Sequence, residues 1–379
     1  MIHKLIAIPL ISLLLTFMFA FESIAENIAP DGAIAVFTAG QDGYHSYRIP
    51  SIIATKKGTL LAFAEARKDG RGDAGNIDLV LKRSTDNGKT WGPLQIVWDD
   101  DTHTCGNPCP VVDQTTGDII LPLTWNRGDD HEGKIKAGTS KDTRRVFVTR
   151  STDDGLTWAK PTDITDSTKD AQWRWYATGP GISIQITEGK HKGRLVVPCD
   201  HSTTTGEYRA HSIHSDDGGK TWAIGGTIAP DVNECQVAQL PGGGLIMNLR
   251  NYRKADSSKQ RAISTSSDGG QTWSPVTYDD DLIEPICQAS LIRLTKAPHA
   301  EQHAFLLFSN PASDKSRTKM TVRLSVDGGK MWTMSKLLYQ GPSAYSNLIE
   351  LPDGSLACFY ERGEKHAYET IVFHPFTLK

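Results

Sequence analysis

The chain has 379 residues, with 41 basic and 44 acidic side chains and a net charge of −3 at pH 7. That balance argues against a nucleic-acid binder, which shows a basic excess or stripe, but it leaves room for an anionic small substrate because a pocket's local field can oppose the net charge. The length admits two domains or one large all-β domain.

The first predicted element is a targeting segment. Lys4 precedes a 17-residue apolar run, LIAIPLISLLLTFMFAF (5–21), and Ser23-Ile24-Ala25 puts small residues at −3 and −1 of a cleavage site after Ala25. Pro9 and the brevity of the run weaken a membrane-spanning helix. We expect residues 1–25 to be removed on export, with no stable membrane insertion, and residues 26–379 to form a single domain in the periplasm, outside the cell or on its surface. Export permits disulfides, and Cys105 and Cys109 are close enough to pair. No CxxC frame is present and no His-x-x-x-His frame accompanies the cysteines, so zinc is not indicated, and buried free thiols are expected for most of Cys105, Cys109, Cys199, Cys235, Cys287 and Cys358.

Next in the chain come short alternating segments rich in β-formers: GTLLAFAE (58–65), DLVLKRS (78–84), DIILPLTW (118–125), RRVFVTRS (144–151), GRLVVPC (193–199), YRAHSIHS (208–215), GGLIMNL (243–249), HAFLLFS (303–309), MTVRLSV (320–326) and GSLACFY (354–360). A repeated motif follows several of them. It reads STDNGKTW (84–91), STDDGLTW (151–158), SDDGGKTW (215–222), SSDGGQTW (266–273) and SVDGGKMW (325–332), the last with Met331 in place of threonine. The aspartates Asp86, Asp153, Asp217, Asp268 and Asp327 lie 67, 64, 51 and 59 residues apart. Short antiparallel strands and Gly-rich turns at such a period predict radial repetition, an all-β propeller of four-stranded blades, with six blades fitting residues 26–379. In each motif the Asp side chain can accept backbone N–H groups of a tight turn, Gly supplies positive φ, and Trp packs against the turn. Five sites spread around a ring cannot converge on one substrate, so these carboxylates are read as scaffold.

Chemistry is then expected in residues that break the repeat. Arg48 in YRIPS (47–51), Arg250 in IMNLRNY (246–252) and Arg317 in FSNPASDKSR (308–317) each stand at the edge of an apolar strand. A guanidinium holds a carboxylate through two parallel charge-assisted hydrogen bonds, so three converging at an axis would form a carboxylate trap. Taken singly, each could equally be a surface charge.

YRIP followed by five Asp motifs resembles the sialidases, specifically the bacterial exo-α-sialidases with a six-bladed propeller, over about residues 40–375. The resemblance implies that Arg48, Arg250 and Arg317 bind the substrate carboxylate. It implies that Asp73 in GRGDAGN (70–76), 25 residues after Arg48, is the acid/base; Asp69 and Asp78 are rivals with less suitable spacing. Tyr345, 28 residues past Arg317, matches the nucleophile, and Glu234, 16 before Arg250, its partner. Glu361, 16 beyond Tyr345, matches the glutamate that orients the first arginine. Less firmly, Arg67 resembles the contact to the sugar 4-hydroxyl and Glu65 an arginine partner. WNRGDDHE (125–132) is expected to reach the pocket, with Asp130 a candidate near the N-acyl group, and WRWY (173–176) to supply aromatic surface for the acyl or glycerol side chain, with Tyr176 close to Glu234.

The activity so implied is a retaining exo-α-sialidase acting on terminal sialic acids of glycoproteins, gangliosides or oligosaccharides, as a monomer with no metal or other cofactor. A trans-sialidase or intramolecular enzyme would share the same residues. A non-catalytic sialoglycan-binding propeller would be expected to lack Asp73, Tyr345 or Glu234, and this chain has all three.

Overall fold

The computed structural model describes residues 29, 31–252, 259–297, 300 and 303–378. The predicted export segment lies outside them. Among the described residues the chain forms twenty-five strands, two short helices (Glu132–Ala137 and Thr165–Thr168) and one 3-10 turn. Each predicted strand lies within a few residues of an observed one: GTLLAFAE becomes Leu60–Arg67, and GSLACFY becomes Leu356–Arg362.

The strands pair almost wholly antiparallel with their chain neighbours, in sheets of nine, seven, five and four strands. Ser46–Ala54, Leu60–Arg67, Ile77–Ser84 and Gln95–Trp98 form one meander. Trp173–Thr178, Leu195–Thr203, Tyr208–Ser215 and Ala223–Pro230 form another. Val232–Gln239, Leu245–Asn251, Gln260–Ser266 and Thr277–Ile283 form a third. The 17-residue strand Met334–Glu350 serves two meanders, pairing with Thr318–Ser325 through its first half and with Leu356–Arg362 through its second. The last sheet closes on the beginning of the described chain, because Ile34–Thr38 pairs with Thr370–Phe376. Curled antiparallel sheets of this kind are consistent with a propeller of four-stranded blades.

Apolar clusters weld neighbouring sheets together. Phe37, Tyr47, Ile52, Leu60, Phe359 and Phe373 join the first meander to the closing sheet in one buried core. The Asp motifs add a second seam. In the first, Asp86 accepts the Ser84 hydroxyl at 2.8 Å and the Thr90 N–H at 2.9 Å, and the Thr90 hydroxyl at 2.5 Å. Asp153, Asp217 and Asp268 repeat this pattern with Thr157, Thr221 and Thr272. Asp327 keeps the backbone bond to Met331 at 3.0 Å, but no hydroxyl is there to complete the set. These turns pack on a neighbouring meander. Gly88 lies against the Phe373 ring, and a Cβ at Gly155 would stand 2.7 Å from Leu61 Cδ1, so both positions exclude a side chain as well as requiring positive φ. The motif is a staple between meanders.

All six cysteines are buried free thiols.

Candidate active site

One strand of the four-stranded sheet looks polar in sequence yet is buried. Val232–Gln239 (VNECQVAQ) is buried at every position. Polar groups here find partners far away in the chain: Asn347 accepts the Ile52 N–H at 2.8 Å across two sheets, and Gln288, just before Ser290–Arg293, accepts the Ser346 N–H at 2.9 Å. Pairing register slips on four inner strands, between Arg48 and Ser51, Trp173 and Tyr176, Val232 and Cys235, and Ser343 and Ser346. Bulges re-aim side chains, and here they fall beside Arg48, Trp175, Glu234 and Tyr345. At the first slip Ile49 adopts φ 60°, costly for a β-branched residue, and its N–H is held by Glu361 at 3.0 Å.

These residues line one cavity of about 260 Å³. Buried Glu361 receives Arg48 Nε at 3.1 Å and the Tyr345 N–H at 3.0 Å, so one carboxylate fixes both a guanidinium and the backbone of the tyrosine. The Tyr345 hydroxyl donates to Glu234 Oε1, while Arg250 donates to Glu234 Oε2 and lies 3.2 Å from the tyrosine oxygen. The Arg48 and Arg317 guanidinium carbons stand 4.9 and 5.6 Å from the Tyr345 ring centre. Arg317 is oriented by the Tyr368 hydroxyl and the Ile286 carbonyl, each at 3.1 Å. Burial, reinforced by negative Glu234, pushes the Tyr345 hydroxyl well above its ordinary pKa, although the three arginines pull the other way. The resting tyrosine is therefore neutral.

Asp73 stands at the mouth, its side chain 69 % exposed, 2.8 Å from Arg67 and 3.3 Å from Arg48. Partial burial raises its pKa, but the Arg67 and Arg48 guanidiniums outweigh that and hold it below the usual carboxylate range. Arg67 is locked by Glu65 at 2.7 Å, as the sequence reading anticipated.

The cavity thus gathers Arg48, Arg250, Arg317, Asp73, Tyr345, Glu234 and Arg67, with Glu361 fastened behind them. Asp130 and Tyr176 do not line it. Asp130 turns away to accept the N–H groups of Lys141 and Asp142 at 2.9 and 3.0 Å, and Glu132, two residues on, faces the cavity instead. The slip between Trp173 and Tyr176 puts Trp175 and Ala177 on the cavity wall and sends Tyr176 into the core against His211. Sequence reasoning missed Arg144, Asp200 and Tyr368, because nothing in the pattern separated them from ordinary strand or loop residues. Period-two alternation from Trp173 would have sent Trp175 to the core face, where Trp173 packs with Tyr176 and His201. A larger hollow of about 570 Å³ is lined mostly by aliphatic side chains such as Ile52, Val112, Ile184 and Leu291, and among the described residues its charged lining groups are Arg293 and Glu350.

Residues 58–358 match the model of the BNR repeat-like domain. The sialidase of Micromonospora viridifaciens is 35 % identical over 379 aligned residues, covering 94 % of this chain. The chain spans 58 % of that relative's length. Sialidase-2 of Mus musculus is 32 % identical, with 90 % of this chain and 95 % of that protein covered. Among solved structures, the Hadza microbial sialidase Hz136 superposes with a TM-score of 0.81 at 30 % identity, over 91 % of this chain and 68 % of that one. With the matched domain, the shared sequence and the shared fold in agreement, the chain belongs to the sialidase family of BNR-repeat proteins.

Proposed function

We propose that the protein is a retaining exo-α-sialidase that hydrolyses terminal sialic acids from glycans through a covalent tyrosyl intermediate. The observation that carries this reading is the Tyr345–Glu234 hydrogen bond set among three arginines. A sialoside bears a carboxylate on its anomeric carbon. Arg48, Arg250 and Arg317 would hold it, and an anionic nucleophile would meet repulsion there; sialidases are the glycosidases that use a neutral tyrosine instead. In the first step Tyr345 Oη bonds to the anomeric carbon and passes its proton to Glu234, while protonated Asp73 gives its proton to the departing glycosidic oxygen. In the second, Asp73 takes a proton from water, the water oxygen bonds to the same carbon, and Tyr345 leaves and recovers its proton from Glu234. Two displacements retain configuration.

Asp73 must be protonated for the first step, yet in the free site its neighbours keep it ionised. A substrate carboxylate taking Arg48 weakens that hold, so binding itself supplies the acid.

Six blades are part of the proposal. Five meanders follow one another in the chain, and the sixth, built on Ser343–Glu350, Leu356–Arg362 and Thr370–Phe376, borrows Ile34–Thr38. Export after cleavage at Ala25 completes it, and N-terminal sequencing of the mature protein tests that step. The deciding experiment for function is turnover of a fluorogenic α-sialoside followed by NMR. Free sialic acid with α configuration as the first product supports the reading; an anhydro product, transfer to an added acceptor, or no turnover overturns it.

A further inference from the structure

Glu361 has a counterpart behind the other two arginines. Glu284 follows the strand Thr277–Ile283, is buried and does not line the cavity. Its Oε1 accepts the Asn251 N–H at 2.7 Å, and its Oε2 accepts Arg261 Nη1 at 2.6 Å and the Cys287 N–H at 3.3 Å. Arg261 is equally buried and makes two further bonds. Its Nη1 also donates to the Cys287 carbonyl at 2.6 Å, and its Nε donates to Asn248 Oδ1 at 2.7 Å.

These bonds bear on Arg250 and Arg317. The ladder that ties Leu245–Asn251 to Gln260–Ser266 ends at the Leu249–Ala262 pair, one residue short of Arg250. There Glu284 takes the Asn251 N–H and Arg261 takes the Asn248 side chain, so the ion pair holds the strand on both sides of Arg250. The turn 284–287 serves Arg317. Ile286 adopts φ 58°, costly for a β-branched residue, and its carbonyl accepts Arg317 Nη2 at 3.1 Å. The ion pair ties Glu284 to Cys287 across that strained residue. Glu361 does the same for Ile49, at φ 60° beside Arg48.

We propose that Glu284, acting with Arg261, is a positioning residue that sets Arg250 and Arg317 at the spacing a substrate carboxylate requires. This rests on the sialidase reading, in which three arginines hold one carboxylate. Two guanidiniums share a carboxylate only when both meet its oxygens in the right plane. In the empty site Arg250 and Arg317 repel each other, so side chains on a loose backbone would drift apart and binding would have to gather them again. A buried ion pair adds little stability over apolar side chains of like volume. Fixing geometry is what this one contributes.

The test compares calorimetric binding of a 2,3-unsaturated sialic acid and its methyl ester, which differ at the carboxylate and carry no glycosidic bond. The wild-type protein is expected to prefer the acid by about 100-fold or more, the usual cost of discharging one partner of a desolvated charge cluster. Glu284→Gln loses the charge that faces Arg261. Glu284→Asp keeps that charge but is one methylene too short to span Asn251 and Cys287, so it reads the ratio even where Glu284→Gln does not fold. Both are expected to cut the preference to about tenfold or less, because a shift of about 1 Å costs a factor of that order. On a fluorogenic α-sialoside both should raise KM more than they lower kcat, since the carboxylate is held alike in ground and transition states. Arg261→Lys should retain most of the preference, because the bonds to Glu284 and Cys287 come from one nitrogen that an ammonium can replace. An undiminished preference in Glu284→Asp, with or without a lower melting temperature, gives the pair a role in the fold alone and overturns the assignment. A wild-type protein that prefers the acid yet turns over no sialoside sinks the hydrolase reading; loss of that preference in Glu284→Asp then leaves this one standing.

Discussion

The Asp-motif turns, here called the rim, and the cavity, here called the axis, use carboxylates in opposite ways. At the rim, Asp86, Asp153, Asp217 and Asp268 are satisfied within their own turns, by serine and threonine partners two to four residues away. At the axis, Glu361 and Glu234 bind groups 313 and 111 residues distant. Local satisfaction makes a repeated staple that can be lost singly. Satisfaction across the ring makes a site that exists only when all the sheets are in place.

The sharpest break of that contrast is Tyr345→Phe. It removes one oxygen from the axis and is expected to lower kcat on a fluorogenic α-sialoside by about 10³-fold or more, with the melting temperature nearly unchanged. Glu361→Leu should damage both properties. It strands the buried Arg48 guanidinium and the Ile49 and Tyr345 N–H groups, so about 3–5 kcal/mol of stability should be lost in urea denaturation, together with most activity. Asp86→Ala at the rim should cost about 1–2 kcal/mol and leave kcat within about twofold; a comparable loss of turnover would erase the distinction between the two regions. Met331→Thr should run the other way. It supplies the missing hydroxyl to Asp327 and removes a side chain that is 60 % exposed, for a gain of about 0.5–1 kcal/mol by thermal melting.

Acid separates the regions as well. Asp153, Asp217 and Asp268 have pKa values lowered to about 2, for Asp153 through its threonine bonds first and for the other two by hydrogen bonds that outweigh slight burial. Depressed carboxylates contribute stability that is fully present above their unfolded pKa of about 4 and is lost as pH falls toward 2. Asparagine at all three positions should flatten the stability curve in that window. The axis should respond through turnover instead. The kcat/KM limb, which reports Asp73 in the free enzyme, should lie at lower pH than the kcat limb, which reports it after a substrate carboxylate has taken Arg48.

The same contrast explains what could be read from the chain. The staples announce themselves as STDNGKTW and its copies, because each turn is satisfied within its own eight residues. The inner strands do not alternate. VNECQVAQ is buried throughout, with Glu234 bonded to Tyr345 and Gln236 to the Pro180 carbonyl, partners that no local window contains. Tyr345 and Glu234 were reachable through the resemblance to sialidases and not through any pattern of their own. Tyr176 was misplaced for a related reason: a slipped register moved Trp175 onto the wall, and a bulge leaves no composition signal. Asp130 was near enough in sequence, but its turn used the carboxylate for its own backbone.

The pairing of Ile34–Thr38 with Thr370–Phe376 has a temporal consequence. Glu361 clamps Arg48 from the far end of the chain, so a nascent protein emerging from the ribosome would carry Arg48, Asp73, Glu234 and Arg250 long before it could align them. Until the last strands arrive, the earliest strand has no sheet to join and the nucleophile no orienting carboxylate. Contacts this distant in sequence form late. Competence would then switch on once, at the final stitch, and the appearance of turnover during synthesis would time the completion of the ring.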